Sequence, residues 1–128
     1  PFATQRTCLR AALAAAGTLG AEFEGAAGIT DATQLLAGAF PGTANPQRAV
    51  GPNLDAGAFS VTTAGTVLIE FAIDRGCAYR TVTSTIVPIG AFTNVSGLRI
   101  TARFVRVTYT NTGGVASLVE FGVFIRST

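Results

Sequence analysis

The chain has 128 residues, a mass of 13.0 kDa and a net charge of +2, which suits one domain and is too weakly basic for an obligate nucleic-acid binder. It contains no His and no Lys, so Ser and Thr hydroxyls lack a base to activate them and the commonest metal ligand is missing. We therefore expect a non-enzymatic protein with no catalytic residues, metal site or cofactor. Only 12% of the residues are charged, which predicts a surface that partner molecules cover in part.

The first 57 residues are rich in Ala and Gly and are interpreted as an N-terminal arm that docks onto a neighbour. Residues 4–16 predict a short helix with Leu9 and Leu13 on one side. Residues 30–37 predict a second short helix, because capping-type residues begin it and a glycine follows it.

The rest of this arm is predicted to be irregular. Residues 38–57 contain three prolines and several glycines, which indicates a long loop or an extended segment. Such a loop is unusual inside a compact domain, so we expect a neighbouring subunit to hold it. Glu22 and Glu24 lie between glycines, and we place them in a solvated loop rather than in a catalytic cleft.

Residues 58–128 are rich in Val, Ile, Thr and Phe and predict a meander of about five strands, which forms a small, jelly-roll-like antiparallel β-sandwich if a second sheet of the same chain covers its outer face. The alternation is clearest in residues 66–74, where every second position from Val67 to Ile73 is apolar. The fold class is therefore mainly β, with one or two short helices in the arm. The predicted strands are residues 58–63, 66–74, 80–89, 98–110 and 118–125, with a turn at residues 111–114.

Alternation also predicts which side chains point away from the core. Charged residues at positions 70, 106 and 120 fall on that side and are expected to pair across the sheet wherever their strands are neighbours. Leu68, Phe104 and Phe124 fall there too, and they are too apolar to be left in water. Either a second sheet of the same chain or another subunit is expected to cover them.

Cys8 and Cys77 are the only cysteines, and neither has the spacing of a metal site. Isolated cysteines in apolar surroundings favour free thiols, while a Cys8–Cys77 bridge in an oxidising compartment is the alternative. Apolar runs long enough to cross a membrane are missing from the sequence, so we expect no membrane partner.

Two segments carry a resemblance to a known group of proteins. The segment Arg-Phe-Val-Arg-Val-Thr-Tyr-Thr-Asn at residues 103–111 resembles the C-terminal hairpin of tailed-bacteriophage virion proteins with small β-sandwich domains. The segment Gly-Thr-Val-Leu-Ile-Glu at residues 65–70, followed by Asp-Arg-Gly at 74–76, is similar to a strand and turn of the same domains. The chain departs from them at Cys77, where they commonly carry an Asn-Trp pair.

The resemblance implies a structural virion protein, most simply a capsid decoration or cement subunit. Its partners would be the major capsid protein or another virion protein, together with copies of itself, for example as a trimer, and its location would be the virion. A carbohydrate- or receptor-binding module of a phage tail is the alternative. The residues expected at the subunit interface are Phe2, Leu9, Leu13, Leu68, Phe104, Arg106 and Phe124.

Overall fold

The computed structural model describes residues 4–24, 33–36, 47–48, 53–73 and 77–126, and these residues form ten β-strands. The expected mainly β fold, a small antiparallel β-sandwich, is confirmed. The strands in chain order are β1 (Thr4–Leu13), β2 (Thr18–Glu24), β3 (Thr33–Leu36), β4 (Gln47–Arg48), β5 (Asn53–Ser60), β6 (Gly65–Ala72), β7 (Arg80–Val87), β8 (Thr93–Arg99), β9 (Phe104–Asn111) and β10 (Ala116–Arg126).

The strands are divided between two sheets. A four-stranded sheet has the order β1-β10-β5-β8, and all its pairs are antiparallel. The larger sheet has the order β3-β2-β9-β6-β7, and the short β4 pairs in parallel with the end of β2. Among the described strands, β1, β8 and β7 therefore each border a sheet and have a neighbour on one side only.

The core lies between the two sheets and is built by period-two alternation, as predicted for β9 and β10. The larger side chains that these two strands bury in it are Val105, Val107, Tyr109, Val119, Phe121, Val123 and Ile125. Tyr109 lies against Gly65, where an added Cβ would be 2.1 Å from the phenolic oxygen. The start of β6 therefore requires glycine, because any side chain there would displace the tyrosine ring.

One end of the sandwich is fixed by Asn111, which is fully buried. Its Nδ2 atom donates hydrogen bonds to the carbonyl oxygens of Ala14 at 2.9 Å and Gly114 at 2.6 Å. Its Oδ1 atom accepts a hydrogen bond from Thr63 Oγ1 at 2.8 Å. The Asn111 side chain thus joins the β1–β2, β5–β6 and β9–β10 connections, and the polar atoms of its own buried amide are paired.

The helix predicted for residues 4–16 is wrong, because residues 4–13 form β1 and pair along their length with β10. Of residues 30–37, the structure describes 33–36, and these form β3 against β2 rather than a helix. Local propensity is weak in such Ala-rich segments, and pairing with distant strands decides their structure.

Other boundaries also differ from the sequence prediction. Within residues 38–57, positions 47–48 and 53–57 are in strands, and the remainder lies outside the described residues. The proposed limit between residues 57 and 58 falls inside β5, and a docking role for residues 1–57 stays a prediction. Residues 98–110 contain the end of β8 and most of β9, with a connection between them. The strand predicted for residues 66–74 ends at Ala72, and Ile73 is 81% exposed.

Candidate functional site

Within the described residues, no group of three Cys, Asp or Glu side chains is placed to hold a metal ion. The same residues include no helix of the length and apolarity that crossing a membrane requires. The features with functional potential are a charged cluster, a groove, an exposed apolar edge and the two cysteines.

Three charged residues form a row across the outer face of the six-stranded sheet. Arg106 of β9 is the direct cross-strand neighbour of Glu22 in β2 and of Glu70 in β6. The Nε and Nη2 atoms of Arg106 both lie 2.9 Å from Glu70 Oε1, and both side chains are largely buried. The predicted pairing of Glu70 with Arg106 is therefore confirmed. The shared register explains it, since cross-strand neighbours on one face are close enough for an ion pair.

Tyr79, in the connection between β6 and β7, lies over this row. Its hydroxyl donates a hydrogen bond to Glu22 Oε2 at 3.1 Å. The Arg106 Cζ atom lies 4.1 Å from the centroid of the Tyr79 ring, which is a cation–π contact. Glu70 thus fixes Arg106, while Arg106 and Glu22 together fix Tyr79. We call Glu22, Glu70, Tyr79 and Arg106 the charged cluster.

Burial raises the pKa of two members of this cluster, Glu22 and Tyr79. Glu22 is 1% exposed, and burial raises the pKa of its carboxyl above 4.5, although the Tyr79 hydrogen bond and the Arg106 charge lower it. Its Oε1 atom has no hydrogen-bond partner within the described part of the chain. Burial, followed by the negative charge of Glu22, also raises the pKa of Tyr79. Tyr79 therefore stays protonated at neutral pH and acts as a hydrogen-bond donor.

Glu22 and Tyr79 are the members of the charged cluster that the sequence pattern did not predict, and the prediction of a solvated loop for Glu22 and Glu24 is wrong, because both lie in β2. The alternation of Glu22 and Glu24 with Leu19, Ala21 and Phe23 is the signal that would have indicated a strand.

A groove of about 330 Å³ crosses the outer face of the four-stranded sheet. Gly57 of β5 and Gly122 of β10 are direct neighbours beneath it, and the sheet surface is lowest there because neither has a side chain. The Phe92 ring lies so close to Gly57 that an added Cβ would be 3.1 Å from Cζ. The side chains around the groove are Asp55, Phe59, Phe92, Asn94, Glu120 and Phe124.

Glu120, beside this groove, does not join the charged cluster, because β10 belongs to the other sheet. It forms an ion pair with Arg10 of β1, with 2.7 Å between Arg10 Nε and Glu120 Oε2. Both side chains are exposed, so this pair contributes little to stability.

Apolar side chains are exposed near the end of β7 and along the connection to β8, which passes from the edge of one sheet to the edge of the other. Ile86 is 72% exposed, Ile89 is 60% exposed and Phe92 is 69% exposed. Three large apolar groups so close in sequence form an unusual surface for a chain that remains alone.

The two cysteines lie in different parts of the sandwich. Cys8 is in β1, the edge strand of the four-stranded sheet, opposite Gly122 of β10, and the structure describes only its backbone. Cys77 follows β6 and is exposed with a free thiol, so a Cys8–Cys77 bridge within the chain is absent. The expectation of a free thiol is confirmed for Cys77.

The apolar residues expected at an interface are separated by the fold. Leu13 is buried in the core between the sheets, and Phe104 is fully buried as well, so neither is an exposed contact residue. Leu68 is half-buried in the six-stranded sheet, while Phe124 is half-buried at the groove. The prediction that Leu68, Phe104 and Phe124 share one face is wrong, because β10 lies in a different sheet from β6 and β9.

The other three expected interface residues have different positions. Arg106 is part of the charged cluster, where its guanidinium is bound to Glu70. Leu9 lies in β1, of which the backbone alone is described at that position. Phe2 lies outside the described residues.

Comparisons with known proteins give one informative match. No family of known proteins and no curated protein matches the sequence. A solved structure, described as "Bacillus endospore appendages form a novel family of disulfide-linked pili", contains a chain that is similar in fold. The match has a TM-score of 0.51 at 18% sequence identity and covers 99% of this chain and 88% of that chain. At this identity the similarity shows the shared fold alone.

This match corrects the resemblance to tailed-bacteriophage virion proteins, which is wrong. The sequence segments at residues 65–76 and 103–111 fit β-sandwiches in general and not one family of them. The similar solved chain is a pilus protein of spores rather than a virion protein. The capsid decoration function, the phage-tail module, the capsid partner and the virion location all depended on that resemblance and are wrong with it. What remains is that this chain shares a β-sandwich fold with that solved chain.

Proposed function

We propose that this chain is a non-enzymatic structural subunit that assembles with copies of itself into an extracellular, disulfide-linked fibre. The observation that carries the proposal is the exposed free thiol of Cys77 on a sandwich whose similar solved chain forms disulfide-linked pili. Disulfides persist in oxidising surroundings, so the fibre belongs outside the cytoplasm, as an appendage of a cell or spore surface.

The number of cysteines fits a linear polymer. Each internal subunit of a chain linked only by disulfides needs two links, one to each neighbour, and this sequence has two cysteines. Cys8 lies on an edge strand of the four-stranded sheet, while Cys77 lies in a connection of the six-stranded sheet. Cysteines in strands or connections of two different sheets allow links in two directions, and the Cys77 thiol is not used up within its own chain.

The open strand edges offer a non-covalent route to the same assembly. β1 and β8 border opposite sides of the four-stranded sheet, and the outer backbone groups of an edge strand are able to pair with another strand. Contact between β8 of one copy and β1 of the next joins two different surfaces, so it repeats from copy to copy. The exposed Ile89 and Phe92 lie in the connection that leads into β8 and would be near such a contact.

In the test, the full chain is first reduced and is then oxidised with glutathione disulfide. The remaining thiols are alkylated, and the products are separated on non-reducing gels. The native sequence is expected to give a ladder of species larger than dimers. Cys8→Ser and Cys77→Ser each leave one thiol and are expected to give nothing larger than a dimer. The double variant and a reduced native sample serve as controls and are expected to run as monomers.

Two results would contradict the proposal. One is a native chain that remains monomeric on the gel after complete oxidation. The other is a single-cysteine variant that forms a ladder as long as that of the native chain, because disulfides would then not link the subunits.

A further inference from the structure

The charged cluster holds the segment that carries the exposed thiol. Tyr79 is two residues after Cys77, and its side chain contacts residues of β2 and β9 rather than only the adjacent β6 and β7. In the sheet order, β7 is three strands away from β2. At about 4.8 Å per strand this is about 14 Å, which is longer than a tyrosine side chain. The backbone before β7 must therefore fold over the outer face of the sheet.

Each contact of Tyr79 involves a partner that is itself fixed. Glu22, which accepts the hydroxyl hydrogen bond, is buried in β2. Arg106, which lies against the ring, is bound through two nitrogen atoms to Glu70 of β6. A side chain held by residues of two strands, one of which is bound in turn to a third strand, has little freedom, and the residues beside it in the chain share that restriction.

We propose that Tyr79 is a positioning residue for inter-subunit disulfide formation: the charged cluster fixes residues 77–79 over the six-stranded sheet, so that Cys77 is presented in one place to the thiol of a second copy. This inference rests on the proposed function and adds to it the residues that direct the link. Holding the Cys77 thiol in one place raises its effective concentration toward the thiol of a correctly docked second copy. The reaction of Cys77 with a small thiol in solution, such as glutathione, is not favoured in this way.

The chemistry is thiol–disulfide exchange with a disulfide compound as oxidant. The Cys77 thiolate attacks glutathione disulfide, which gives a mixed disulfide and releases one glutathione thiolate. The thiolate of a second copy, from Cys8 or Cys77, then attacks the protein sulfur of the mixed disulfide and releases the second glutathione. Two protein thiols are oxidised and one glutathione disulfide is reduced to two glutathione molecules.

The experiment compares the native chain with Tyr79→Ala, which removes both contacts, and Tyr79→Phe, which removes only the hydrogen bond to Glu22. The ratio of inter-subunit disulfide to glutathione mixed disulfide is measured at equilibrium in a glutathione buffer. We expect Tyr79→Ala to lower this ratio about tenfold and Tyr79→Phe to have a smaller effect. Thr112→Val, which removes one exposed hydrogen bond to the carbonyl oxygen of Ala64 and touches neither cysteine-bearing segment, is the control and is expected to leave the ratio unchanged.

A second measurement tests whether Cys77 is held in place, and it does not depend on disulfide formation between copies. A nitroxide label on Cys77 in the Cys8→Ser chain is expected to show several-fold faster motion by electron paramagnetic resonance after Tyr79→Ala. Circular dichroism verifies that each variant is folded, and Tyr79→Phe replaces Tyr79→Ala if the latter does not fold. Unchanged label motion, or an unchanged disulfide ratio, overturns the inference while the proposed function stands. A native chain without inter-subunit disulfides overturns the proposed function and this inference with it.

Discussion

Replacing Asn111 by Asp tests whether one amide holds the turns at its end of the sandwich together. The substitution keeps the shape of the side chain and the Oδ1 atom that accepts the hydrogen bond from Thr63. It removes Nδ2, which donates to the carbonyl oxygens of Ala14 and Gly114. In the variant an oxygen atom faces these two carbonyl oxygens, at a position with no solvent exposure.

The expected loss of stability follows from these contacts. A hydrogen bond contributes about 1 kcal/mol net, and a buried polar group left without its partner costs about 1–3 kcal/mol. The variant loses two such hydrogen bonds, while the Ala14 carbonyl oxygen still accepts from the Gly17 N–H at 2.9 Å, so we expect the free energy of unfolding to fall by about 2–4 kcal/mol. This is a large fraction of the roughly 5–15 kcal/mol that is typical of a domain.

Urea unfolding of the reduced chain, followed by far-ultraviolet circular dichroism at neutral pH, measures the difference. Thr112→Val is the matched control in the adjacent residue, because it removes an exposed hydrogen bond of 3.1 Å from Thr112 Oγ1 to the carbonyl oxygen of Ala64. We expect it to cost less than about 1 kcal/mol. If Asn111→Asp were within about 1 kcal/mol of the native chain, the role assigned to Asn111 would be refuted.

Three further substitutions test other parts of the fold. Gly65→Ala would place a Cβ 2.1 Å from the Tyr109 hydroxyl oxygen, so urea unfolding should show a loss of about 1–3 kcal/mol, and native stability would contradict this packing. Because the pKa of Glu22 is raised on folding, its contribution to stability is complete below about pH 4.5 and is lost at higher pH. Glu22→Gln should therefore gain stability relative to the native chain as the pH rises above about 4.5, and a stability difference that does not change with pH would contradict this expectation. Arg10→Gln removes an exposed ion pair with Glu120 and should change the unfolding free energy by less than about 1 kcal/mol, whereas a loss above about 2 kcal/mol would show a larger role.

The parts of the fold that could be predicted are those in which one strand carries its own signal. β6, β9 and β10 alternate between apolar core residues and other residues, and the core positions from Val105 to Tyr109 follow directly from that pattern. β1 and β2 are rich in Ala and Gly and carry a weaker signal. Their structure depends on pairing with β10 and β9, which are about a hundred residues away in the chain, so local periodicity does not reveal it.

The candidate site shows the same limit. The pairing of Glu70 with Arg106 follows from their positions on β6 and β9 once these strands are neighbours. Glu22 joins them only because β2 pairs with the other side of β9, and Tyr79 joins them only because its connection folds over the sheet. Sheet order and the path of a loop depend on contacts between residues far apart in the chain. The spacing of residues in the sequence therefore does not predict them.

Isotope mixing tests the central claim most directly. Equal amounts of reduced ¹⁴N- and ¹⁵N-labelled chain are mixed, oxidised with glutathione disulfide and digested, and the disulfide-linked peptides that contain Cys77 are identified by mass spectrometry. If copies of this chain are joined through their thiols, about half of these linked peptides will combine one light and one heavy partner. If every linked peptide carries a single label, the bonds form within one molecule, and the account of a disulfide-linked fibre is contradicted.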